Sequence, residues 1–128
     1  RTFRVKSRQK APGGYRTLSA KRKEKKLNKP FIFTEYGADT LASEHKLPSV
    51  MWSQEYQDEY LKMTHEVFDS YDFIKGEQIW NFADFQTTEG IMRVNGNKKG
   101  VFTRQRQPKD IAYKLKERWE NLPLDYKK

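Results

Sequence analysis

From Pro30 onward, short apolar runs alternate with longer stretches of helical period. FIFTEYG (31–37) is an aromatic and β-branched run that closes on a carboxylate and a glycine, which predicts a short buried strand. ADTLASEHKLPSVMW (38–52) has no period and predicts a long irregular loop. Ser53 is placed to cap a helix over residues 54–70, whose apolar stripe is Tyr56, Tyr60, Met63 and Val67. GEQIWNFAD (76–84) predicts a second strand. Ile91–Val94 and Val101–Thr103 flank NGNKKG, whose Asn95-Gly96 pair predicts a hairpin turn. Pro108 opens a last helix with Ile111, Leu115, Trp119 and Leu122 on one side, and Pro123 ends it.

The predicted order is strand, long loop, helix, strand, long loop, helix. Such alternation indicates an α/β fold with parallel strands covered by helices. Both long loops follow the strands, on the carboxyl side, which in β/α barrels is the face that carries the active site. Two such units are a quarter of an eight-unit barrel of about 250 residues. The pattern therefore predicts part of a larger (β/α)8 TIM barrel.

Charge changes this picture only at one end. The 128 residues carry a net charge of +9, which by itself suggests a nucleic-acid partner. Residues 1–29 hold twelve Lys/Arg and one acid, a net of +11, and residues 30–128 carry a net of −2. The excess thus belongs to the first segment, whose APGG breaker and few apolar residues predict disorder, with a short helix over Leu18–Leu27. That segment reads either as an arm for nucleic acid or an anionic surface, or as a solvated tail not native to the domain. The division expected is 1–29 as a basic segment of low order and 30–128 as a partial barrel domain. No aromatic series interleaved with basic residues suggests base stacking in 30–128, so nucleic acid is not the expected partner there.

The chain has no cysteine, which excludes a disulfide framework and cysteine-based metal or thiol chemistry and is compatible with a cytoplasmic location. No run of about 18 apolar residues predicts a membrane span. The basic N-terminus lacks the apolar core of a secretory signal. APGGYR is not a phosphate loop, since it lacks the Lys-Ser/Thr pair. His45 and His65 show no metal-ligand spacing, and neither a metal nor a cofactor is expected.

The candidate chemistry lies at the predicted strand ends. Glu35 closes an apolar strand, where a carboxylate costs desolvation unless it is hydrogen-bonded or paired. It reads either as a catalytic group or as a strand-end carboxylate serving a neighbour. Trp80 is a candidate platform for a sugar ring or a core aromatic. Arg93, Lys98 and Lys99 cluster near Asn97, as an anion site or as a solvated turn.

These residues carry a resemblance. KPFIFTEYGADT (29–40), MWSQEYQDEYL (51–61), GEQIWNFADFQTTEGIMRVNGNKKGVFTRQRQPKD (76–110) and KERWENL (116–122) resemble the C-terminal part of the barrel domain of bacterial β-glucuronidases in glycoside hydrolase family 2, over about residues 27–122. The resemblance implies that these are the last two βα units of the barrel. It makes Glu35, in TEYG, the catalytic nucleophile at the end of the seventh strand. Trp80, in WNF, lines the sugar pocket at the end of the eighth and precedes a cis peptide. Arg93 is a substrate-side arginine, and Asn97 and Lys99 form the Asn-x-Lys motif that binds the glucuronic acid carboxylate. Lys98 is the x position and need not touch substrate.

The implied activity is retaining hydrolysis of β-D-glucuronides, which uses two carboxyl groups about 5–5.5 Å apart. The family's acid/base Glu lies on the fourth strand, which nothing in this chain matches; Glu77 lies at the far end of its strand. The expectation is therefore a segment that needs the rest of the barrel, is inactive alone, and as part of a complete enzyme can form a homo-oligomer. The other readings are a truncated product without function and a basic binding segment at 1–29. A neutral galactose-type sugar would leave Lys99 unpaired, the expected basis of discrimination.

Overall fold

The computed structural model describes residues 29–91 and 93–126, so the expectations for residues 1–28 lie outside the described residues. Among the described residues, four regular elements follow in the predicted order: β1 (Phe31–Tyr36), α1 (Gln54–Asp69), β2 (Ile74–Ile79) and α2 (Asp110–Asn121). The two strands pair in parallel, as the alternation required. Both helices cover one face of this pair. Tyr36, Leu61, Phe68, Ile74, Val101, Ile111 and Leu115 form the core between them. Phe33 stacks on Phe68 with ring centroids 4.5 Å apart, which pins β1 to α1.

The pairing is irregular where it matters most. Phe33 lies opposite Glu77 and Tyr36 opposite Ile79, so β1 spends one residue more than β2 over this interval. A bulge of this kind breaks the two-residue alternation and re-aims side chains. Here it lets Phe33 and Tyr36, three apart, both face α1. Glu35 sits within the bulge.

Ser53 caps α1 as predicted, its hydroxyl accepting the Tyr56 N–H at 3.2 Å. The buried face of α1 differs from the predicted stripe. Gln57, Tyr60, Leu61, Thr64, His65 and Phe68 are buried, Tyr56 and Val67 are half-buried, and Met63 is exposed. The stripe is rotated because three of its members are polar side chains with partners inside. Gln57 donates to the carbonyls of Ala38 and Gly100, Thr64 donates to Tyr60 O, and His65 is hydrogen-bonded to the Tyr36 hydroxyl.

The second strand begins two residues earlier than predicted and ends at Ile79, before Trp80. The predicted hairpin is replaced by a different pairing. Ile91 and Val94 are exposed, and the stretch after the turn laces to residues 81–85 instead. Val101 N donates to Asn81 O at 2.9 Å, Phe102 N to Phe82 O at 2.9 Å, and Asn97 N to Phe85 O at 2.8 Å. The turn itself forms as the Asn-Gly pair indicates, with Asn95 at φ 61° and Gly96 at φ 87°. Pro108 lies just outside α2, which starts at Asp110 with Lys109 as its N-cap. No helix among the described residues is long and apolar enough to cross a membrane.

Candidate active site

Three segments meet beyond the carboxyl ends of β1 and β2. The first is the β1 exit, Gly37 to Thr40. The second is the β2 exit at Trp80 and Asn81, whose connecting peptide is cis, as the resemblance implied. The third is the returning stretch 97–101. Trp80 N donates to Tyr36 O at 2.8 Å, which continues the strand pairing past β2. A Cβ on Gly37 would lie 2.1 Å from the Trp80 carbonyl oxygen and 3.8 Å from Lys99 Cβ. Only glycine allows the two strand exits to come this close. Asn81 N donates to Lys99 O at 3.1 Å and Thr40 N to Lys98 O at 3.0 Å, so the returning stretch is held from both sides.

The predicted residues lie in or beside these three segments. Glu35 is half-buried at the end of β1. Trp80 is exposed on one side and meets Phe85 edge to face, with centroids 6.1 Å apart. Asn97 is buried, and its Oδ1 accepts the Lys99 backbone N–H at 3.0 Å, which folds the Asn-x-Lys stretch on itself. Lys99 Nζ donates to Asp39 Oδ2, and Arg93 Nη1 is 3.5 Å from the same oxygen. Lys98 takes part through its main chain, its N–H donating to Asp39 Oδ1 at 3.0 Å. Arg93 and Lys99 are thus brought together, with Asp39, which the local pattern did not mark, between them. In this arrangement Lys99 already has an anionic partner, so a neutral sugar does not leave it unpaired.

A second residue missed from the sequence supports the site from behind. The Lys109 amine is almost fully buried and donates to Thr40 O, Lys98 O and Asp84 Oδ1, each at 2.9 Å. Burial lowers its pKa, and the hydrogen bond it donates to Asp84 opposes that shift. Asp84 is buried as well, and the same oxygen accepts the Gly100 N–H at 2.9 Å.

Glu77 stands apart from this face. It lies 3.6 Å from His65 Nε2 and 3.5 Å from Arg118 Nε, in the layer between β2 and the helices. Burial raises its pKa. His65 is pushed down to about 4, first by burial and then by Arg118, so it is neutral at pH 7 and its approach to Glu77 is not an ion pair.

Among the described residues, His45, Glu55 and Asp110 could together hold a metal ion, their ligand atoms lying within 4.8 Å of one another. His45 and Asp110 are 65 positions apart in the sequence, which hid the group. Its donors are already engaged: His45 Nδ1 bonds Glu55 Oε1 at 2.8 Å, and Glu55 Oε2 accepts the Lys46 N–H at 2.9 Å.

Two parallel strands with helices on one face, and loops gathered beyond their carboxyl ends, are the arrangement of βα units. Residues 3–124 match glycosyl hydrolases family 2, TIM barrel domain, and the chain belongs to that family. Its relatives are β-glucuronidases. One from Paenibacillus borealis is 58% identical over 96 residues, 75% of this chain and 16% of that protein. The Lactobacillus rhamnosus β-glucuronidase structure superposes with a TM-score of 0.81 at 60% identity, covering 91% of this chain and 21% of that one. The Ruminococcus gnavus β-glucuronidase in complex with D-glucuronic acid gives 0.77 at 65% identity, covering 82% and 18%. The chain therefore spans about a sixth to a fifth of the length of these relatives.

Proposed function

We propose that residues 30–128 are the last two βα units of a retaining β-glucuronidase. In this reading Glu35 is the nucleophile, Trp80 walls the sugar pocket, and Arg93, Asn97 and Lys99 take the carboxylate of a β-D-glucuronide. The observation that carries it is the convergence of the β1 exit, the β2 exit and the 97–101 stretch on one face. The complex of the Ruminococcus gnavus relative with D-glucuronic acid supports the choice of sugar.

The mechanism follows from the charges. Ionised Glu35 attacks the anomeric carbon and forms a covalent glycosyl-enzyme while a second carboxylic acid protonates the leaving oxygen. The same acid, now a base, then activates the water that releases the sugar. The substrate carboxylate at C5 would repel Glu35, and a lysine with an amide on it offsets that repulsion through charge-assisted hydrogen bonds.

The acid/base group comes from another barrel strand in this reading. Two parallel strands leave open edges and cannot close a barrel. Ile32, Phe82 and Trp119 are large apolar side chains more than half exposed, as surfaces that face further barrel elements would be. The purified 128-residue chain should therefore release no p-nitrophenol from the aryl β-glucuronide. The Ruminococcus gnavus enzyme carrying residues 29–122 in place of its own segment should release it, and Glu35→Gln should abolish this. Release by the 128-residue chain that Glu35→Gln abolishes would overturn the need for the other strands. A chimera that folds and turns over galactosides in preference to glucuronides would overturn the sugar assignment.

A further inference from the structure

A single carboxylate organises the cationic side of the site. Asp39 receives the Lys98 main-chain N–H on Oδ1 and the Lys99 ammonium on Oδ2, with Arg93 3.5 Å from Oδ2. The side chains of Asp39 and Lys99 are only about one-fifth exposed. The contacts cross 59 and 60 positions of sequence, so they join two separate loops. The backbone beneath is fixed too, because Thr40 N donates to Lys98 O and Lys109 Nζ takes the carbonyls of both residues. Asp39 is therefore held beside the lysine and cannot easily withdraw.

An ammonium carries three donors and a guanidinium five, so Lys99 and Arg93 can serve Asp39 and a second carboxylate at once. Two cations against Asp39 leave one positive charge over, which suits one singly charged carboxylate. Lysine is a point charge on a flexible four-carbon stem, and an anchored stem loses less freedom when its ligand arrives. We infer that Asp39 is a positioning residue of the uronate site: it holds Lys99 and Arg93 in place for the sugar carboxylate and remains their shared counter-anion after binding. This rests on the assignment of Lys99 to the uronate carboxylate proposed above.

The test uses the Ruminococcus gnavus chimera carrying residues 29–122, with aryl glucuronide and aryl galactoside as substrates. Asp39→Asn retains an acceptor for the Lys98 N–H but offers Lys99 no anion. It should raise KM for the glucuronide about tenfold with little change in kcat, and lower the glucuronide-to-galactoside ratio of kcat/KM by a similar factor. Asp39→Glu should restore part of that ratio. In a double-mutant cycle, Asp39→Asn should cost less on the Lys99→Ala background than alone, since part of its effect passes through Lys99 and the rest through Arg93. Equal losses on both sugars, losses that simply add to those of Lys99→Ala, or tighter glucuronide binding would each overturn the inference. If Lys99→Ala alone leaves the sugar preference unchanged, the uronate assignment itself falls. That result is distinct from a failure of Asp39 in a chimera where Lys99 does set the preference.

Discussion

The amine of Lys109 lies 2.9 Å from Asp84 Oδ1, with both side chains buried, and its two other hydrogen bonds tie the loop after β1 to the stretch that carries Asn97 and Lys99. Three donors meet three acceptors, so the charge is satisfied although it is out of water. Removing only one partner leaves the other buried and unpaired. Lys109→Met in the complete chimera should destabilise the barrel by about 3–5 kcal/mol. Adding Asp84→Asn, which removes the orphaned charge but keeps an acceptor for Gly100, should recover part of the loss. Urea denaturation midpoints of the three proteins measure both effects.

The close contact between strand exits makes Gly37 intolerant of a side chain. Gly37→Ala would drive a Cβ against the Trp80 carbonyl oxygen, which is main chain and cannot swing aside. A loss of about 1–3 kcal/mol is expected from such overpacking, accompanied by reduced turnover because Trp80 and Lys99 shift together. Gly90→Ala, where a Cβ meets nothing within 4 Å, should leave the thermal midpoint unchanged and serves as the control.

Lys98 and Lys99 should behave differently despite their adjacency. Lys98 contributes its main-chain N–H to Asp39 and its carbonyl to Thr40 and Lys109, all of which survive truncation of the side chain. Lys99 contributes its ammonium. Lys99→Ala should cost about 2 kcal/mol in kcat/KM for the glucuronide, roughly thirtyfold, as expected for a hydrogen bond to a charged group. Lys98→Ala should change it less than about threefold, since a surface substitution away from a site's contacts has a small effect. Comparable losses for the two variants would remove the distinction between them.

Of the architecture, the strands, helices and Ser53 cap were readable because each is a local pattern. The α1 face was not, because Gln57 and His65 count as surface residues until their partners on distant segments are known, and Thr64 until its hydroxyl is seen to bond within the helix. The hairpin was misread for a related reason. Asn95-Gly96 does encode a turn, but the chain leaving it pairs with residues 81–85 rather than with the residues before the turn. Within the candidate site, the residues of the Asn-x-Lys stretch were marked by resemblance and by their charge. Asp39 and Lys109 were not, since their partners lie up to 69 positions away and no local spacing encodes a contact of that length.

The layer behind the site should respond to acid. His65 is held down to about 4 in the folded protein, against about 6.5 when unfolded. The unfolded chain therefore binds the extra proton first. The contribution of His65 to stability is present above pH 6.5 and is lost as pH falls from there to about 4. Glu77, whose folded pKa is raised, works in the opposite sense, its contribution being present at low pH and lost as pH rises through its folded value. Denaturation midpoints of the complete chimera between pH 4 and 7 should fall with acid, and His65→Gln should flatten that limb. An acid limb of unchanged steepness in the variant would show that other groups govern it.

The lacing of residues 97–102 onto both strand exits also bears on how such enzymes can be recombined. Asp39 and Lys99, Gly37 and Trp80, and Thr40 and Lys109 are each split by any exchange point placed between residues 41 and 79. An exchange near residue 29 keeps every one of these pairs within a single parent. The strand bearing the proposed nucleophile and the loop proposed to choose the sugar are thus inherited as one block, and swapping either alone mismatches the surfaces that hold the other.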